Sequence, residues 1–546
     1  MAIILILAGI TRLYHLNTLP PSLYYDEIDS GYQAQTFNQN QTDYYGNQFP
    51  IHFHSFGDFR TSLNIYATVL IQKIIPDPDI SVRLPSAIFG ILSVLVIYSI
   101  TGSLIPSFLL AISPWAIHYS RIGFEASGMI LFLLLGIYFW QKFIKKSKIF
   151  SLYLSLLFFC LSPYFYSTAK LFLIFIATII FFLTYKQIFS LGIKKIAPLI
   201  LFSVILLLPM AWDTVHGKAG FRFQYISIFT QPHREQIVDA LRFEDAAIDH
   251  PNQIGIKTNF LSKLFHNKYQ LVSNRFAKNY FSAFSTTFLL LNGDSNIRHG
   301  FGGNYGLLYF LDLILFLLGV FSFFSTKKKS KLSYLFFWLF LLSPIPSSLT
   351  RDTDSPHATR LILMLPSIIY FTYLGVQYCH QKISWSRYLI IPLYLISFLN
   401  FWHYYNYHYP NQSAMEWDTG MKETVLATQE YSSTPIVFSD NYISFVSFFL
   451  YYFPYHLPQN DSIQNHLINS SNESFSGQLL DNQFYFGKIN WSNLSKFPTN
   501  TIFVVPKSEY KLHSSDTFEI LKTIPKKYTN QEEFYIIKHQ PELSKT

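Results

Sequence analysis

Apolar runs recur along the chain at lengths that suit a membrane-crossing helix. A span needs roughly 20 apolar residues, within about 17–25. Such runs fall at about 1–13, 84–104, 105–118, 124–143, 150–167, 169–186, 196–212, 304–324, 332–349, 360–379 and 387–404, which predicts about eleven transmembrane helices. The run 105–118 is short and holds Pro106 and Pro114, both poor in a helix interior. The opening segment MAIILILAGI lacks a basic leader and a small-residue cleavage site. It reads as a first transmembrane helix, not a removable signal peptide.

The polar intervals between the runs orient them. QKFIKKSKIF (141–150), GIKKIAP (192–198), TKKKSK (326–331) and HQKISWSR (380–387) are lysine-rich. With eleven spans all four lie on one side, and the positive-inside rule makes that side cytoplasmic. The N-terminus is then cytoplasmic and the C-terminus extracytoplasmic. Residues 1–404 form a transmembrane domain with outer loops at about 14–83 and 213–303. Within the first loop, TSLNIYATVLIQKII (61–75) predicts a helix along the interface, or a weakly apolar span that would invert the topology after it.

Residues 405–546 have the length of a small domain. SAMEWDTGMKETVLATQE predicts a helix; TPIVFSD, TIFVVPK and EFYIIKH predict strands; the Asn-rich NHLINSSNES (465–474) predicts a loop. The expected fold is therefore an all-α polytopic membrane protein with a small α/β extracytoplasmic C-terminal domain.

Composition agrees. Half of the residues are hydrophobic and only 13% are charged, against about a quarter in soluble domains. The net charge of +9 sits largely in the short connectors. No basic face interleaved with aromatics appears, so nucleic acid is not an expected partner. Cys160 and Cys379 both fall in apolar runs and read as small buried hydrophobes, not as a disulfide framework. The absence of internal repeats counts against a duplicated transporter fold.

The candidate chemistry gathers on the outer face. PPSLYYDEIDSGYQAQ (20–35) places Asp26, Glu27 and Asp29 just after the first apolar run. Acids at a helix start are an ordinary preference, but here outer cations accompany them. Arg12, Arg83, Arg121, Lys170 and Arg360 stand at predicted outer ends of spans. Each alone is explained by snorkelling to headgroups. Together they suit an anion such as phosphate, which Arg grips with a planar fork and Lys with a point charge. A carboxylate beside them can take a proton from a hydroxyl. Asp43, His52, His54, Asp58 and Arg60 lie close by in sequence. The His-x-His pair with nearby acids has the ligand types of a divalent-cation site, although such pairs on loops more commonly hold none. No cofactor is called for, and a metal is left open. There is no GxxxxGK[ST], HExxH, GxSxG or zinc-spaced CxxC, so ATP-driven, zincin and serine-hydrolase chemistry have no support.

Arg12 in the first span followed by Asp26-Glu27 in the first outer loop resembles the protein O-mannosyltransferase family and its bacterial relatives, which include aminoarabinose transferases. RLPSAIFGILSVLVIYSI, AISPWAIHYSRIGFEA, LSPYFYSTAKLF and PIPSSLTRDTDSPHATRLILMLP are similar to later motifs of that family, with Lys170 where Arg is usual. The long tail resembles the outer domain of prokaryotic members. The resemblance implies a GT-C fold and a glycosyltransferase that moves a sugar from a polyprenyl-phosphate donor to a glycan, lipid or protein acceptor outside the membrane. It implies Asp26 as base, with Glu27, Arg12 and Arg83 organising the site and Arg121, Lys170 and Arg360 on the carrier phosphate. A lipid or solute transporter and a non-enzymatic membrane anchor are the competing readings. A transporter would want ionisable groups at the bilayer midplane, whereas the charges here sit at helix ends.

The topology has a direct check. Lys328→Cys, in a background without the two native cysteines, is expected to resist a membrane-impermeant maleimide added from outside. Labelling of intact cells would invert the orientation.

Overall fold

The structure is a computed structural model. It describes residues 1–217, 220, 225–230, 232–249, 258–351, 356–439, 445–458, 461–498, 500–513, 518–525, 528 and 532–540. Part of the PIPSSLTRDTDSPHATR motif (352–355) and Asp440 of TPIVFSD lie outside the described residues. The chain groups into two compact units. One comprises 1–8, 90–118 and 126–398; the other comprises 9–89, 119–125 and 399–546.

The first unit is helical. Helix stands at every predicted apolar run, and five helices are long and apolar enough to cross a membrane: Pro78–Thr101, Ala126–Lys146, Thr168–Phe189, Ile193–His216 and Ala358–Lys382. Ala2–Leu13, Ile149–Tyr164 and Phe310–Ser325 are shorter apolar helices. The run 105–118 is not one helix but two, Leu104–Ile112 and Pro114–Arg121. Ser113 between them is extended, with ψ 126°. A following proline pushes its predecessor out of the helical region and cannot donate to the preceding turn. The run 332–349 is interrupted around Pro344, into Lys331–Leu342 and Ile345–Ser348, although Ser343 before the proline keeps a helical conformation.

One helix pair in this unit packs backbone to backbone. A Cβ on Gly319 would collide with the Phe371 carbonyl, and one on Gly375 with the Leu315 carbonyl. Lipid gives no hydrophobic drive between helices, so small residues that permit close approach and dispersion contact become the adhesive. Asp312, buried in the first turn of Phe310–Ser325, accepts from the Tyr309 N–H at 2.9 Å and the Tyr394 hydroxyl at 2.7 Å. Those two bonds offset the cost of burying its charge.

The second unit is built on a seven-stranded sheet in the order β4-β5-β6-β3-β7-β9-β8. Its strands are β3 (Ile436–Ser439), β4 (Leu467–Ser471), β5 (Phe475–Leu480), β6 (Phe484–Ile489), β7 (Ile502–Pro506), β8 (Phe518–Pro525) and β9 (Glu532–His539). β6, β3 and β7 run parallel, and the remaining pairs are antiparallel. Strand side chains alternate between two apolar layers. Ile436, Phe438, Phe484, Phe486, Ile502, Val504, Phe534 and Ile536 enter one layer; Val437, Phe503, Val505, Tyr535 and Ile537 enter the other. The first layer also takes in Leu23, Ile28, Tyr32, Tyr44 and Val82. The early loop and the late sheet therefore share one core.

Two expectations for the tail need correction. NHLINSSNES is not a loop, because Leu467–Ser471 pairs with β5, Leu467 opposite Leu480. Its polar residues sit on an edge strand, where charged and polar side chains are the norm. The helix expected over 413–430 is confined to Met421–Thr428. Asp418 (φ 48°) and Gly420 (φ 92°) hold left-handed conformations that no helix can run through.

The glycine contact yields a stability test. Gly319→Ala or Gly375→Ala should cost about 1–3 kcal/mol, the usual range for overpacking, read as a lower unfolding midpoint in detergent. Midpoints equal to the parent's would contradict the close approach.

Candidate active site

The helix α2 (Tyr25–Asn40) follows α1 (Ala2–Leu13) and carries the acids. Asp26 and Glu27 occupy its first turn, where the helix dipole favours negative charge. Glu27 reaches back to accept the Tyr24 N–H at 3.1 Å, which closes a capping box. It is wholly buried. Its other bonds come from Arg83 Nε at 2.9 Å, Arg83 Nη2 at 3.1 Å and the Gly123 N–H at 2.7 Å. A carboxylate has about four acceptor positions, so these bonds saturate it.

Arg83 is equally committed. It sits in α4 (Pro78–Thr101) and is fully buried. Nη1 donates to the carbonyls of Leu16 at 3.1 Å and Pro20 at 2.9 Å, and Nη2 also donates to the Ser22 carbonyl. With the two bonds to Glu27, all five donors of the guanidinium are used. Trp417 lies 5.8 Å from it. Removing one partner of such a buried pair costs about 3–5 kcal/mol. The pair ties the 16–22 turn, α2, α4 and Gly123 together.

Arg121 binds the end of α1. Nη1 donates to the Thr11 carbonyl at 2.9 Å, and Nη2 donates to Tyr14 at 2.6 Å and Leu19 at 3.0 Å. Tyr405 and Trp402 lie 5.7 and 6.0 Å from its guanidinium. A cation suits carbonyls left over at a helix C-terminus. Arg12 is fully buried and donates to the Thr11 hydroxyl at 2.9 Å.

Asp26 differs from Glu27 in being 39% exposed. Arg60, from the strand β2 (Phe59–Thr61), grips it through Nη2 and holds Asp29 through Nε at 2.5 Å. Glu125 lies 3.9 Å from the same guanidinium. Burial alone would lower the Arg60 pKa, but Asp26, Asp29 and Glu125 outweigh it and hold the group well above its usual value. Asp29 is buried and also accepts from the Tyr44 hydroxyl at 2.7 Å and the Ser55 hydroxyl at 2.6 Å. Burial, and then the Asp29 charge, push the Tyr44 phenol well above its usual range. It therefore stays a neutral donor. The result is a rigid, acid-rich patch with one half-exposed carboxylate.

Asp43 serves a turn. It accepts from the N–H groups of Tyr45, Asn47 and His54 and from the Asn47 amide, at 2.8–3.1 Å. His52 and His54 lie in β1 (His52–His54), paired with β2. His52 is buried, and the His54 ring is stacked between Tyr45 at 3.8 Å and Phe59 at 4.5 Å. Lys170 and Arg360 belong to the other unit. There Lys170 donates to the Thr214 hydroxyl at 3.1 Å and Arg360 to that of Thr350 at 2.8 Å.

Sequence reasoning passed over Glu125 and left Asp29 without a role. Asp29 is one helical turn from Asp26, a spacing that puts both on one face. It also missed a metal-type group in the helical unit. Donor atoms of Asp294, His299 and His357 lie within 4.8 Å of one another, and among the described residues the His52–His54 pair forms no such group of three. Two imidazoles and a carboxylate are a fitting donor set for a divalent cation. The Asp294 carboxylate is oriented by the N–H groups of Asn296 at 2.9 Å and Ala358 at 2.7 Å. Fifty-odd residues of sequence separate His299 from His357, so spacing gave no signal.

No protein-family model matches the sequence, and no curated protein matches it. Solved structures do. The chain is similar to ArnT from Cupriavidus metallidurans bound to undecaprenyl phosphate, with a TM-score of 0.51 and 8% identity over 98% of this chain and 96% of that one. It also matches the Archaeoglobus fulgidus oligosaccharyltransferase tethered to an acceptor peptide, with a TM-score of 0.46 and 12% identity over 87% of this chain. The chain spans about 60% of that oligosaccharyltransferase. The near end-to-end match to ArnT and the long apolar helices establish a membrane protein with the GT-C fold.

Proposed function

We propose that the protein is a membrane glycosyltransferase that moves a sugar from a polyprenyl-phosphate donor to an acceptor at the outer face of the membrane. The observation that carries this is Asp26, a carboxylate 39% exposed and braced by Arg60, beside a Glu27–Arg83 pair that is wholly enclosed. Fixed orientation and access are what a general base requires. The ArnT structure of the same fold contains undecaprenyl phosphate, which supports a polyprenyl-phosphate donor here.

Asp26 accepts the proton of the acceptor nucleophile as that atom attacks the anomeric carbon. The bond from that carbon to the phosphate oxygen breaks, and the phosphate leaves on its lipid with inversion at carbon. One base suffices for a single displacement, so no second catalytic carboxylate is needed. Glu27 and Arg83 hold the frame, since their hydrogen-bonding capacity is spent on each other and on backbone. Cations must stabilise the charge of the leaving phosphate, which is a large catalytic term; of those expected from the sequence, Arg12 and Arg121 stand in the same unit as Asp26. The acceptor is a glycan, a lipid or a protein. Residues 405–546 form the outer domain, and the N-terminus is cytoplasmic.

Asp294, His299 and His357 would hold a divalent cation. Such an ion supplies Lewis acidity toward phosphate oxygens when bound.

Reconstituted with polyprenyl-phosphate sugars, Asp26→Asn should lose about 10²–10⁴-fold in turnover, the span of a general base, while expression and melting stay unchanged. Turnover equal to the parent's would remove Asp26 from the mechanism. Lipid movement without sugar transfer would favour the transporter instead. Metal analysis of purified protein should find a bound divalent ion that His299→Ala and His357→Ala both abolish. Equal metal content in parent and variants would dismiss that site.

A further inference from the structure

The C-terminal sheet has an open cavity that the transfer reaction does not use. Its volume is about 280 Å³, and it is lined by Lys488, Trp491, Ser508, Glu509, Leu512 and His513, among others. Its place in the topology is informative. β3 lies between β6 and β7, and all three are parallel. The chain leaves β3, adds strands on one side through β6, and then crosses to the other side for β7. In open α/β sheets, ligands bind at such a reversal, outside the carboxyl ends of the strands. The cavity stands at that edge. Lys488 is the penultimate residue of β6, Trp491 follows β6, and Ser508 and Glu509 follow β7. Ser439, the last residue of β3, donates its hydroxyl to Glu509.

The lining has a built polar floor. Glu509 is only 8% exposed. The Trp491 indole N–H donates to it at 3.0 Å, and the Ser439 hydroxyl bonds its other oxygen. The Trp491 and His513 rings stack at 4.8 Å and 9°. With Leu512 they give the cavity a flat, apolar wall. Around it stand a carboxylate, a hydroxyl, an ammonium and an imidazole.

This mixture excludes several ligands. A phosphate would meet the Glu509 carboxylate, with a single lysine in compensation. A metal ion would find one carboxylate and one imidazole already engaged in a ring stack. A nucleotide would want a glycine-rich turn and more room, since pockets for drug-sized ligands run roughly 300–1,000 Å³. A neutral ring with hydroxyls on its rim fits: its C–H face lies on the aromatic wall, and its hydroxyls donate to the carboxylate and accept from the ammonium. We propose that the cavity at the carboxyl ends of β6, β3 and β7 is a monosaccharide-binding site. It is built from none of the residues around Asp26, and its occupancy is independent of the transfer reaction.

The test uses the full-length protein in detergent, with the methyl α-glycosides of glucose, galactose and mannose as probes in saturation-transfer NMR. Saturable binding of at least one glycoside is expected. Leu512 is 80% exposed, so Leu512→Arg should leave the melting temperature unchanged while obstructing the cavity. It is expected to weaken binding at least about tenfold, as is Glu509→Gln, which removes the charged acceptor. Asp26→Asn should bind like the parent, which separates this site from the catalytic reading. Absence of saturable binding for all three glycosides overturns the proposal. So does binding by Leu512→Arg equal to the parent's.

Discussion

The Glu27–Arg83 pair is the constraint on which the second unit depends. Its partners come from positions 56 apart in sequence, yet every acceptor of one and every donor of the other is satisfied. In a buried setting an unmet donor on either group would be expensive. The geometry therefore admits little variation. The turn at 16–22, the start of α2, the start of α4 and the 119–125 segment are held to one another through two side chains.

That rigidity explains why adjacent acids have different characters. Glu27 points into the protein and is consumed by structure. Asp26, one residue earlier on the helix, is turned about 100° away and keeps a face to solvent. Arg60 then sets the direction of Asp26 and draws Asp29 and Glu125 around a single cation. The Asp-Glu dipeptide is one frame residue and one accessible residue, not a matched pair of catalytic acids.

Much of the fold was legible because membrane physics writes it into composition. Runs such as 124–143 and 196–212 reappear as Ala126–Lys146 and Ile193–His216. The short continuous apolar segments IVF, IFVV and FYII lie in β3, β7 and β9 of the sheet. β4 was missed because Asn and Ser carry no strand signal on an edge, where pairing with β5 alone makes the strand. The break at Ser113 is local chemistry of Pro114 and was foreshadowed by that residue. The Asp294, His299 and His357 group was invisible because His357 meets the loop of Asp294 and His299 only through folding.

The sequence alone determined that the chain is a helical membrane protein with a late α/β region and acids just after the first apolar run, since hydrophobic length and period are properties of contiguous residues. It named Arg12, Arg83 and Arg121 as cations suited to an anionic substrate, and Asp26 and Glu27 as the acids beside them. Only the tertiary structure decided which of them are spent on one another, that the early loop and the late sheet share one core, and that Asp26 keeps its exposure. Those outcomes rest on distances between residues remote in sequence, and no local pattern encodes a distance.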